Sequence, residues 1–170
     1  MNVYKVTKKN RDATAAFMAF ARADWWPCVE DAKRQIAGRD AWMLGKDDTS
    51  PIGFASIIDM PDYKTVEIDV IGGVHDDAFH VDETLDPLLV HMEDFARRRG
   101  RANIRFIITS AATTLDGSDV PHPAKAIEDF RSEREDVVWL MSRGFSVHGI
   151  LPHVYGKGKH GIVLLKSLTP

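Results

Sequence analysis

The segment from Asp86 to Ile108 constrains this chain most, because a strongly patterned helix runs there almost directly into an apolar strand. Leu88, Leu89, Met92, Phe95 and Ala96 recur three and four residues apart, which gives a helix one apolar stripe. Pro87 suits a first helical turn, Asp86 is a candidate cap, and Gly100 ends the pattern. Residues 104–108 then read as a buried strand.

The remaining punctuation divides the chain into further elements. Residues 3–6 alternate like a short strand. Asn10 and Asp12 offer caps to a helix with Ala13, Ala16, Phe17 and Phe20 on its apolar face, broken at Trp25-Trp26-Pro27. A second helix sets Val29, Ala32 and Ile36 on one face and stops at Gly38. Residues 41–44, 52–58 and 65–71 form a meander of three strands. After a loop at 110–119 come a short helix at 123–130 and another at 136–142, which ends at Gly144. Strands at 145–155 and 162–165 close the chain around Gly156-Lys157-Gly158. Leaving the short helix at 123–130 aside, strand, two helices, three strands, helix, strand, helix and two strands is not the alternation of a doubly wound sheet.

Composition narrows the class. A length of 170 residues suits one domain, 1–170, and 44% hydrophobic with 28% charged residues is ordinary globular usage. A net charge of −3 gives no footprint for nucleic acid or an anionic membrane. Cys28 is the only cysteine, so no internal disulfide forms; neither a membrane-length apolar run nor a signal-peptide core is present. These features predict a soluble cytoplasmic protein.

Three stretches carry a resemblance to a known family. Leu88-Leu89, Glu93, Phe95-Ala96-Arg97 and Gly100 are similar to the helix that follows the cofactor loop of the GNAT acyl-CoA N-acyltransferases. Residues 104–108 resemble the strand after it, and Trp139-Leu140-Met141-Ser142-Arg143-Gly144-Phe145 resembles the late helix ending in a Gly-Phe pair. The resemblance implies an α+β fold with a central mixed sheet flanked by helices. It also implies transfer of an acetyl or other acyl group from acetyl-CoA or another acyl-CoA to an amine. The implied partner is a small-molecule or peptide amine, with a homodimer left open.

The implied cofactor contacts are the strand end, Ile71, Gly72, Gly73 and Val74, for the pantetheine arm, and the helix start, Val81, Asp82, Glu83, Thr84 and Leu85, for the pyrophosphate. At that start the family places a basic residue and a Gly-x-Gly or Gly-x-Ala whose amides hold the anion. This chain has His80-Val81-Asp82-Glu83-Thr84-Leu85 instead, amid Asp76, Asp77 and Asp86. Carboxylates there satisfy free helix amides and repel a pyrophosphate, each by roughly 1 kcal/mol at 4 Å in water. A second reading therefore stands beside the enzyme: a binding or interaction module of the same fold that has lost CoA. His75, His80 and their acidic neighbours have the composition of a metal site but no ligand spacing, so no metal is expected.

Thr65, Glu67 and Asp69 alternate with Val66, Ile68 and Val70, so the two carboxylates share one strand face. The resemblance puts that strand beside the substrate cleft and makes Glu67 or Asp69 the base, acting through water. The family's acid, a tyrosine in the late helix, is replaced by Leu140, which leaves Tyr155 as the candidate. His153 and Tyr155, two apart in the last hairpin, are expected on one side of a strand.

Overall fold

The computed structural model describes residues 1–73, 83–120 and 122–169. In chain order its elements are β1 (Asn2–Lys5), α1 (Arg11–Ala21), α2 (Val29–Ile36), β2 (Asp40–Gly45), β3 (Pro51–Met60), β4 (Thr65–Gly73), α3 (Asp86–Arg98), β5 (Asn103–Thr109), α4 (Pro123–Glu128), α5 (Glu135–Ser142), β6 (Ser146–Leu151) and β7 (Gly161–Ser167). All the strands join one sheet in the order β1-β2-β3-β4-β5-β7-β6. Only β4 and β5 run parallel. This is the mixed sheet that the resemblance implies.

Each face of the sheet carries its own core. Ala15, Met18, Trp26, Ala32 and Ile36 of the α1–α2 layer pack on Ala41, Phe54 and Val70. On the other face the α3 stripe packs with Trp139 and Leu140 of α5 over Trp42, Ile57, Val66, Ile68 and Ile104. Trp42 meets Phe95 edge to face at 5.2 Å, a geometry that aromatic pairs prefer. Gly53 is required where α3 begins, because a Cβ on it would lie 2.9 Å from the Leu85 side chain. The buried Leu85 side chain thus seats the short 3-10 turn at Glu83–Leu85 against β3.

Four local expectations need correction. The buried face of α1 is Thr14, Ala15 and Met18, while Phe20 is 75% exposed. Thr14 tolerates burial because its hydroxyl donates to the Asn10 carbonyl and lies 3.5 Å from the Met43 sulfur. Val70 does not share a face with Val66 and Ile68. Ser56 pairs with Val70 and Ile57 with Ile68, so Asp69 is an extra residue, and this bulge flips the alternation. Asp86 does not cap α3: its carboxylate accepts from Trp139 Nε1 at 2.9 Å and from Arg143 Nε and Nη2 at 2.5 and 2.6 Å, tying α3 to α5. Finally, β6 stops at Leu151 rather than continuing to 155, because His153 takes a left-handed φ of 56° in the following turn.

Candidate functional site

The parallel strands β4 and β5 are paired only from Thr65↔Asn103 to Ile68↔Phe106. Beyond that point β5 continues against β7 alone, through Thr109↔Gly161, while β4 continues against β3 alone, through Gly73↔Gly53. The β5-facing edge of residues 69–73 thus has no ladder partner among the described residues. Main-chain N–H and C=O groups on such an edge stay available to an extended ligand, in the manner of an added strand. The bulge at Asp69 sits where the strands part, as expected of a device that bends one strand away from its neighbour.

Glu67 stands one residue before this opening, on the face that α3 and α5 leave uncovered. Its register partner is Arg105, which donates from Nε to Oε2 at 2.6 Å. The pair is partly shielded, with side-chain exposures of 19% and 33%. Oε1 of Glu67 makes no hydrogen bond among the described residues. Asp69, on the same face, is more heavily engaged. Its Oδ2 accepts from Gln35 Nε2 at 2.7 Å, Ser56 Oγ at 3.1 Å and Arg39 Nε at 3.2 Å, which fastens α2 to the sheet.

Tyr155 reaches this region from the loop between β6 and β7. It is half exposed, and partial burial raises its hydroxyl above the usual tyrosine value, with the nearby Glu67 charge adding to the effect. The loop is held on the sheet from several sides. A Cβ on Gly161 would meet the Val154 side chain at 2.9 Å and Ile107 at 3.1 Å, so Val154 lies over β5 and β7. His160, fully buried, accepts the His153 N–H at Nδ1 (3.1 Å) and donates from Nε2 to the Ser118 carbonyl at 2.8 Å. Gly117 donates to the Gly158 carbonyl at 2.9 Å, and Lys159 pairs with Asp116. His153 points its ring back at the Gly158 N–H, so it and Tyr155 are not side-by-side strand residues.

The expected cofactor residues divide. Val74, Val81 and Asp82 lie outside the described residues, as do the histidines and most of the acids considered for a metal. Ile71 and Leu85 place their side chains in the core, so they have only main chain to offer a ligand. Gly72 lies beside Phe54, whose ring a Cβ would approach to 3.2 Å. Gly73 ends β4 opposite Gly53, and Thr84 is exposed on the turn before α3. Leu140, at the position where the family carries its acid, is fully buried core.

Sequence reasoning missed two groups here. Arg105 was hidden inside an apolar run, although a single charge at an alternate position already marks a strand face that is not fully apolar. Arg134 was passed over in the long connection. It is buried, forms a two-pronged pair with Asp136, and donates from Nη1 to the Thr109 and Ala111 carbonyls at 2.6 and 2.8 Å. It thereby locks the far end of β5 to the start of α5.

A mixed sheet that parts between its two parallel strands, with a helix starting beside the gap, is the architecture of the GNAT fold, and the chain has that fold. An aminoglycoside 6'-N-acetyltransferase from Enterococcus faecium superposes with a TM-score of 0.83 at 18% identity, over 100% of this chain and 98% of that one. An aminoglycoside 6'-N-acetyltransferase complexed with coenzyme A gives 0.81 at 18% identity, with the same coverage. A GNAT-family protein from Desulfovibrio desulfuricans gives 0.66 at 14% identity, over 99% of each chain. No family model and no curated protein sequence matches the chain. Among the described residues no helix is long and apolar enough to cross a membrane, and no group of three or more His, Cys, Asp or Glu is arranged to hold a metal.

Proposed function

We propose that this protein is an N-acyltransferase that moves an acetyl or other acyl group from CoA to an amine. The observation that carries the proposal is the opening between β4 and β5 with Glu67 at its mouth. The free main-chain edge of residues 69–73 fits the amide-bearing arm of CoA, whose thioester would supply the activated acyl group. In this reading main-chain amides at the turn before α3, around Thr84 and Leu85, receive its anionic end.

In this reading Oε1 of Glu67 removes a proton from the acceptor ammonium, directly or through one water. The amine nitrogen then attacks the thioester carbonyl carbon: a C–N bond forms, the C–S bond breaks, and sulfur departs with the electron pair. The nitrogen sheds its second proton to solvent. Tyr155, kept protonated by its raised affinity for the proton, gives that proton to the sulfur and recovers one from solvent. Asp69 acts as a brace, holding α2 beside the cleft.

Thiol release from acetyl-CoA, measured across a panel of amines, tests this. Glu67→Gln is expected to lower kcat by about 10²–10⁴-fold while leaving acetyl-CoA affinity unchanged. Full activity in that variant removes Glu67 as the base. The module reading gains support only if acetyl-CoA fails to bind the wild type at millimolar concentration.

A further inference from the structure

Among the described residues, the two carboxylates at the cleft, Glu67 and Asp69, are not left with free negative charge. Glu67 is matched by Arg105 and Asp69 by Arg39, each acid against one guanidinium. An acceptor carrying several ammonium groups gains little from such a surface, because each arginine offsets the attraction of the carboxylate beside it. The aminoglycosides named for the similar structures carry several amines, so the charge balance here departs from what such a cation would need.

The two arginines are also incompletely used. Arg105 spends Nε and Nη2 on Glu67, and Nη2 otherwise lies 3.5 Å from the Met60 sulfur, a weak acceptor. Its Nη1 has no partner among the described residues, and the side chain is 33% exposed on the cleft face. Among the described residues Arg39 spends only Nε, on Asp69, and it is 37% exposed. A guanidinium has five N–H donors in a planar fork, and those left over suit a planar carboxylate.

We infer that the acceptor is a zwitterionic amine, an amino acid or a close relative, whose carboxylate is held by the spare donors of Arg105, with Arg39 adding positive charge beside Asp69. The ammonium then faces Oε1 of Glu67, so each charge of the ligand meets the opposite charge of the Glu67–Arg105 pair. This rests on the acyltransferase reading for the location of the acceptor, but its test does not need the acyl donor.

Calorimetry on the protein alone uses the products such a reaction would form. N-acetyl-L-leucine and N-acetyl-L-phenylalanine are each titrated against the matching carboxamide, with N1-acetylspermidine as a polycationic comparison. At least one acid is expected to bind ten-fold or more tighter than its carboxamide and than N1-acetylspermidine. Arg105→Gln is expected to bring the acid down to the level of its amide, with Arg105→Lys intermediate because it keeps charge without the fork. The inference is overturned if neither acid binds, if the amides bind equally well, or if the polyamine product binds tightest. The wild-type comparison decides the matter even if the variants fold poorly. Failure of these titrations leaves acyl transfer standing, whereas failure of acetyl-CoA to bind removes acyl transfer without moving these curves.

Discussion

Asp86 shows how one side chain can be placed correctly in an element and given the wrong task. It opens α3, yet its carboxylate is turned to Trp139 and Arg143 instead of the helix amides. Asp86→Ala therefore cuts a link between two helices. With side-chain exposures of 38% and 23% for Asp86 and Arg143, the cost should be about 1 kcal/mol, not the several expected of a fully buried pair. Urea unfolding checks it, and a loss above about 3 kcal/mol contradicts the solvent-screened picture. Tyr155 makes a second test at this scale. Burial and the Glu67 charge raise its hydroxyl above about 10, so it holds its proton throughout the neutral range. Tyr155→Phe should lower kcat by about 10²-fold with the KM for acetyl-CoA unchanged, and an unaltered kcat excludes it as the acid. Glu67 was legible in the sequence because strand alternation set it opposite Val66 and Ile68. Its partner Arg105 was not, since pairing between β4 and β5 depends on a register that no local pattern encodes.

At the scale of elements, the helices and strands were read in the right order, and the errors have local causes. The face of α1 was misassigned because Thr14 looks like a surface residue until its hydroxyl is seen to bond the preceding turn. Val70 was misassigned because a bulge inserts one residue without leaving any mark on composition. The site depends on that bulge, so the part of β4 that matters most was the part least visible. The ends of β3 and β5 are joined by Asp59, which accepts from Arg101 Nε and Nη2 at 2.6 and 2.9 Å. The Arg101 hydrogen bonds hold the Asp59 carboxyl below the usual aspartate value. A depressed folded value means that the contribution is present above the unfolded pKa of about 3.9 and is lost as pH falls through the folded value. Asp59→Asn should be less stable than wild type at pH 6, and the gap should close as pH falls below about 4. A gap that stays constant down to pH 2 shows that the pair contributes through packing and not through charge.

For the whole molecule, two layers of helices hold a single sheet whose central parallel pair parts where a ligand could enter. The absent Gly-x-Gly raised the question of whether CoA still binds, and the chain's pattern could not answer it, since a main-chain edge is not a motif. In the proposed cofactor site, residues 69–73 serve as that edge. Titrating coenzyme A into isotope-labelled protein and following backbone amide resonances tests this most directly. Saturable shifts concentrated at Ile71, Gly72 and Gly73 and at Thr84 and Leu85 are predicted; no shifts at millimolar coenzyme A, or shifts confined to another face of the sheet, contradict it.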